Sequence, residues 1–129
     1  MQETAKKRIY GVFFIITMLL LFMYGLYKKN DIKENFEISV AIISKTHESS
    51  RGYLGYEYEF FYNNKKYTNS GILFSSYYAF NEIFINKFIP VVFSKKDPNN
   101  SELLLQINDF EEYNMSFPDS LTWLLEIQK

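Results

Sequence analysis

Residues 56–66 read YEYEFFYNNKK, and this stretch decides the fold of the domain around it. Tyr56, Tyr58, Phe60 and Tyr62 alternate with Glu57, Glu59 and Phe61. A period of two puts the aromatic set on one face of a strand and the glutamates on the other, which is a sheet with one wet face. Asn63-Asn64 follows at once. Asn tolerates positive φ, so the pair predicts a two-residue hairpin turn. Lys65–Ser70 is then the returning strand. Lys65 or Lys66 could face Glu59 or Glu57 across the hairpin, an exposed pairing worth under about 1 kcal/mol.

The flanking sequence continues in short elements. Towards the N-terminus, Glu37–Lys45 (EISVAIISK) is apolar on both faces, with Ile38, Val40 and Ile42 opposed to Ser39, Ala41 and Ile43. That pattern predicts a strand covered on both sides. Between the two strands, Thr46–Gly55 carries Ser49-Ser50, Gly52 and Gly55 and reads as a loop. Towards the C-terminus, Gly71–Phe74 is a short strand piece. Ser75 or Ser76 caps a helix with Phe80, Ile83, Phe84 and Lys87 at helical spacing, and Asn86 ends it in a left-handed conformation. Ile89–Ser94 (IPVVFS) is a strand with Pro90 near its start or on an edge. Lys95–Asn100 (KKDPNN) is a turn, because Asp accepts from the backbone and Pro fixes φ. Ser101–Ile107 is the final strand and Asn108–Asn114 an extended acidic segment. Ser116-Phe117-Pro118-Asp119 opens a helix that runs to about Ile127, with Ser116 as cap and Leu121, Leu124 and Leu125 on one face near Trp123.

Part of this layout resembles a known family. The residues that carry the likeness are Asn86–Phe93 (NKFIPVVF), Asp97-Pro98-Asn99-Asn100 and Leu103-Leu104-Leu105. They resemble uncharacterised bacterial membrane-anchored domains of unknown function, which end in a helix, a strand and an Asp-Pro-x-Asn-Pro turn before a leucine-rich strand. The hairpin at Asn63-Asn64-Lys65 and a leading anchor fit that layout. The pattern departs in two places: Asn86 stands where the family usually has Gly, and Ser101 where it has a second Pro. The resemblance implies a fold and a membrane-tethered arrangement, and brings no catalytic residue with it.

The anchor itself is Ile9–Tyr27, IYGVFFIITMLLLFMYGLY, nineteen residues without a charge. As a helix it covers roughly 28 Å, the thickness of a bilayer's hydrocarbon core. Lys6-Lys7-Arg8 precedes it, Lys28-Lys29 follows it, and Tyr10, Tyr24 and Tyr27 lie near its ends, where amphipathic rings prefer the headgroup layer. A buried core helix of this length would keep a polar stripe, and none is present. A cleaved signal peptide needs small residues in an A-x-A-like pattern, which Met23–Tyr27 does not supply. The chain has no cysteine, which removes a lipoprotein, disulfides and thiolate metal sites. The expected organisation is a basic tail at 1–8, an uncleaved transmembrane signal anchor at 9–27, a linker at 28–36 and one small domain at 37–129. The linker's Asn30–Asn35 reads equally as a frayed extension of the helix. The short basic tail places the N-terminus in the cytoplasm and the domain on the exported side of the inner membrane. Lys28, Lys29 and Lys33 nearly balance that signal.

Charge separates the two parts. From Asn30 onward there are nine Lys and Arg against fourteen Asp and Glu, so the domain is acidic beneath a basic membrane collar. That excludes a nucleic-acid partner, which needs a positive surface, and disfavours a domain lying flat on anionic lipid. Catalytic chemistry finds no foothold. His47 is the single histidine and sits in the polar loop, where it reads as solvated. One histidine cannot assemble a zinc site, and Asp109, Glu111 and Glu112 lack calcium-loop spacing. Glu57 and Glu59 share a strand face and read as a solvated row rather than as a glycosidase pair. No phosphate loop or nucleophile elbow occurs. No enzyme, cofactor, metal or small-molecule substrate is expected.

The sequence therefore predicts an α+β architecture: one N-terminal transmembrane helix, then an antiparallel sheet of about five strands curled into a partial barrel, a short crossing helix and a C-terminal helix. Its expected role is a membrane-tethered module whose partners are the bilayer and another protein. Tyr53, Tyr56, Tyr77 and Tyr78 are the candidate contact residues, because Tyr gives large contact area at low entropy cost. An immunity-type guard against a toxin fits this size and charge. The alternative is an accessory subunit that packs through its helix in a larger membrane complex.

Overall fold

The computed structural model describes residues 2–48, 53–73 and 83–127, and the expected architecture is present in it. Helix α1 covers Gln2–Asn35, and every residue from Ile9 to Tyr27 is exposed along it. It is long and apolar enough to cross a membrane. Thr17, the polar residue at its middle, returns its hydroxyl to the Phe13 carbonyl at 2.9 Å. The stretch read as a linker is the end of this helix, which stops at Asn35 where strand β1 begins at Phe36. The chain divides into two compact units, residues 1–31 and Ile32–Lys129.

The second unit is a five-stranded antiparallel sheet curved into a half-barrel. Its strands are β1 (Phe36–Glu48), β2 (Leu54–Tyr62), β3 (Lys65–Leu73), β4 (Phe88–Ser94) and β5 (Ser101–Leu103), in the order β3-β2-β1-β4-β5. The Asn63-Asn64 turn has both residues at positive φ, 51° and 62°, the geometry whose twist matches that of the strands it joins. Tyr62 pairs with Lys65 across it, and the register runs unbroken to Leu54 and Leu73. Lys66 reaches Glu59 at 3.0 Å on the exposed face, and Lys45 stands 3.9 Å from Glu57.

Strand β1 is longer than its sequence suggested. Ile43 pairs with Tyr58 and Lys45 with Glu57, so Ser44 is a bulge between them. The extra residue bends the strand and switches its alternation. Ala41 and Ile43 face inward before it, and Thr46, opposite Tyr56, faces inward after it. Thr46–Glu48, expected in a loop, therefore continues the ladder. His47 belongs to the strand too, exposed, with its ring lying over Gly55, where any Cβ would strike it. The pieces Lys65–Ser70 and Gly71–Phe74 likewise join as one strand to Leu73. The helix expected from Ser75 or Ser76 lies outside the described residues apart from its end. There Asn86 takes φ 64° and donates to the Ile43 carbonyl at 2.9 Å.

Pro90 sits third in β4, opposite Val40. Its carbonyl accepts from Leu104 N at 3.0 Å, so its missing donor faces the end of β5, where the ladder stops, and not β1. The Lys95–Asn100 turn forms as its residues predict: Asp97 Oδ1 accepts from Asn99 N at 3.2 Å, and the Asp97 carbonyl accepts from Asn100 N at 2.8 Å. The final strand is only three residues. Asn108–Asn114, expected to be extended, instead contributes to helix α2 (Ile107–Glu111) and the turn after it. The cause is Asp109, whose Oδ2 accepts from Leu105 N at 3.0 Å and Gln106 N at 2.9 Å, completing a capping box with Gln106. At the C-terminus Ser116 is not the cap. Pro118, in extended conformation, takes that place before a 3₁₀ turn (Asp119–Leu121) and helix α3 (Thr122–Ile127). A residue that precedes proline is driven from the helical region, so no helix could start at Phe117.

The core lies in the concave face. Ile43, Tyr58, Phe60, Ile89, Val91 and Phe93 are at most 1 % exposed, and Leu121 and Leu124 close it from the C-terminal end. Phe60 packs on Phe93 at 5.1 Å between ring centroids and on Tyr67 at 5.7 Å. Among the described residues the convex face is covered at the β4–β5 side, where Tyr113 is buried against Phe36 and donates its hydroxyl to Glu102 Oε1 at 2.7 Å.

Candidate functional site

Two features of this half-barrel are unusual for a small domain, and both follow from its strand order. The first is the middle of the convex face. Ile42 pairs with Phe88 and Val40 with Pro90, and the same register brings Phe61 of β2 to the outward position beside Val40. Val40 is 57 % exposed, Phe61 62 % and Phe88 68 %. A strand apolar on both faces should be covered on both, yet this face of β1 is open. Apolar side chains that adjoin across three strands form a patch rather than the scattered exposure of any protein surface.

The second feature is the seam between the sheet's two edge strands, β3 and β5. Among the described residues they are clamped at Asn69 and Ser101. Asn69 Nδ2 donates to Ser101 Oγ at 3.0 Å and to the Asn99 carbonyl at 3.1 Å, and the Tyr58 hydroxyl shares a hydrogen bond with Ser101 Oγ at 2.9 Å. Past this clamp the edges part, and an open cavity of about 450 Å³ lies between Ser70–Leu73 on one side and Ser101–Asp109 on the other. Tyr56 and Tyr58 form its floor. Gly71 is required there, because a Cβ would collide with the Tyr56 hydroxyl.

The cavity is polar and acidic. Glu102 and Asp109 line it, with Ser70, Ser101 and Gln106. Burial pushes the Tyr58 phenol up to about 12, with the Glu102 charge adding to the rise and the Ser101 and Asn69 hydrogen bonds opposing it. Burial also raises the Tyr56 phenol well above its usual range, reinforced by Tyr58, Asp109 and Glu102. Tyr113 is raised in the same way, by burial first and then by its bond to Glu102. All three stay protonated at neutral pH and serve as hydrogen-bonding hydroxyls.

The tyrosines proposed as contacts fare differently. Tyr56 is buried, packed edge-on against Phe84 at 5.5 Å, and cannot contribute a surface contact. Tyr53 is half-buried, just before β2. Tyr77 and Tyr78 lie outside the described residues. The exposed apolar positions Val40, Phe61 and Phe88 were missed because outward-facing Ile38, Val40 and Ile42 read as a buried strand. No group of three or more His, Asp or Glu side chains converges as a metal site among the described residues. No protein family, no curated protein and no solved structure matches the chain.

Proposed function

We propose that the protein is a membrane-tethered interaction module. In this reading α1 crosses the bilayer at residues 9–27, the short basic tail stays in the cytoplasm, and the acidic domain stands on the other side. The convex face then receives another protein. One observation carries the proposal: Val40, Phe61 and Phe88 form an exposed apolar patch on the centre of an otherwise well-packed sheet. The cores of protein interfaces are aromatic and apolar and poor in charge, and this patch has that character. The flanking Lys45, Glu57, Glu59 and Lys66 supply a polar rim.

The test is site-specific photocrosslinking in native membranes. A photoreactive residue at Val40 or Phe61 should yield one discrete crosslinked protein, while the same residue at exposed Asn64 in the hairpin turn should not. Equal products from both places, or none from the patch, would remove the proposal.

The alternative, a subunit that packs through its helix, draws on the uniform exposure of residues 9–27 and the open space around Gly11 and Gly25. Replacing 9–27 with an unrelated apolar helix separates the two. A tethered module keeps its function, and a helix-packing subunit loses it.

A further inference from the structure

We propose that the cavity between the β3 and β5 edges binds an organic cation, an alkylammonium or guanidinium group. This site is separate from the Val40, Phe61 and Phe88 patch and does not depend on it. Three observations converge.

The first is uncompensated charge. Glu102 and Asp109 both line the cavity, and among the described residues neither has a lysine or arginine within ion-pair distance. No cationic side chain among the described residues contributes to the lining. Glu102 is held by the Tyr113 hydroxyl and Asp109 by two backbone amides, so both carboxylates are fixed in place before any ligand arrives. The second is an unused hydrogen-bonding group. Tyr56 is only 7 % exposed, and its hydroxyl bonds to no described residue. Among the described residues no buried side-chain oxygen lacks a partner, so this hydroxyl is open to the cavity, which it enters over the Cα of Gly71. The third is the donor set. Among the described residues fixed acceptors surround the space and no cationic donor does, which suits a ligand that brings N–H donors and positive charge. An anion would meet two carboxylates. Among the described residues no group of three or more acidic or histidine side chains converges there, as a metal site would need. The volume suits a ligand of side-chain size or somewhat larger.

The full chain in detergent micelles is titrated with butylammonium, butylguanidinium, neutral butanol and an end-capped lysine pentapeptide. Binding is followed by calorimetry and by the amide resonance of Gly71. Cations should shift that resonance and butanol should not. Glu102→Gln keeps an oxygen for Tyr113 but removes the charge, and should weaken cation binding by about tenfold or more, the loss expected for a charge-assisted contact. Tyr56→Phe keeps the ring over Gly71 and removes only the hydroxyl, so it tests the site independently should Glu102→Gln unfold. It should weaken binding several-fold. A peptide that binds more tightly than butylammonium would identify a polypeptide side chain as the source, and equal affinities a small amine. Both support the proposal. Butanol binding as well as butylammonium, no response of Gly71 to any cation, or unchanged affinity in both variants would overturn it.

Discussion

Asn69 should be the residue on which closure of the sheet depends. Its amide has two N–H groups and three acceptors within reach: Ser101 Oγ at 3.0 Å, the Asn99 carbonyl at 3.1 Å and the Ser101 carbonyl at 3.4 Å. The two shorter contacts take the two donors, and both join β3 to the start of β5, strands that otherwise share no ladder. Asn69→Ala removes both. A net contribution of about 0.5–1.5 kcal/mol for each gives a loss of roughly 1–3 kcal/mol. In a domain of about a hundred residues each kcal/mol lowers the melting temperature by about 4–8 °C. Asn69→Asp is a sharper probe. Its carboxylate can still accept from Ser70 N, as Asn69 Oδ1 does at 2.8 Å, but it turns an acceptor towards two carbonyl oxygens. It should destabilise at least as much as alanine. The assay is thermal unfolding of the full chain in detergent, followed by near-ultraviolet circular dichroism, with Ser101→Ala completing a double-mutant cycle. The cycle should return a coupling of about 1 kcal/mol, as for residues that share a hydrogen bond. Melting of Asn69→Ala and Asn69→Asp at the wild-type temperature, with no coupling to Ser101, would refute the view that this clamp holds the edges together.

Alkaline pH should unfold the domain. Tyr58 titrates near 12 in the folded chain against 10.0 when unperturbed, so the folded state holds its proton more tightly. The resulting stability is complete below pH 10 and is lost as pH rises through about 12; Tyr58 alone carries roughly 2–3 kcal/mol of it. Tyr56 and Tyr113 shift in the same direction. Melting temperature should fall across that window as tyrosinate absorbance appears, and ordinary tyrosine titration in a fully folded chain would contradict this. At the hairpin, Asn64→Gly should raise stability by about 0.5 kcal/mol, because Asn64 holds φ 62° and glycine adopts that conformation without steric cost. Denaturant unfolding would detect the gain, and a loss would mean that the Asn64 side chain holds the turn.

The legible parts of this fold are those governed by local pattern. The alternation through Tyr56–Tyr62 and the left-handed tolerance of Asn63-Asn64 sufficed for the β2–β3 hairpin. The charge-free run 9–27 sufficed for the long helix. What escaped was set by residues acting at a distance or by one cap. The Ser44 bulge changes which residues of β1 face inward, and nothing in EISVAIISK marks it. Gly55 reads as a loop residue, yet it lies within β2 and makes room for the His47 ring, just as Gly71, read as strand, makes room in β3 for the Tyr56 ring. Asp109 was weighed as a metal ligand, and its actual work is to cap α2. The cavity could not be read because its walls, β3 and β5, are about thirty residues apart in the chain and meet only through curvature of the sheet.

The proposed function depends most directly on the anchor and on the side of the membrane that the domain occupies. The chain has no cysteine, so Thr68→Cys on the exposed face of β3 creates a single reactive thiol. Intact cells that express this full-length variant are treated with a membrane-impermeant maleimide and then fractionated. A tethered, exported domain should give a labelled protein that stays in the membrane fraction after alkaline extraction. Labelling only after permeabilisation would place the domain in the cytoplasm, and release by alkali would show that residues 9–27 do not cross the bilayer.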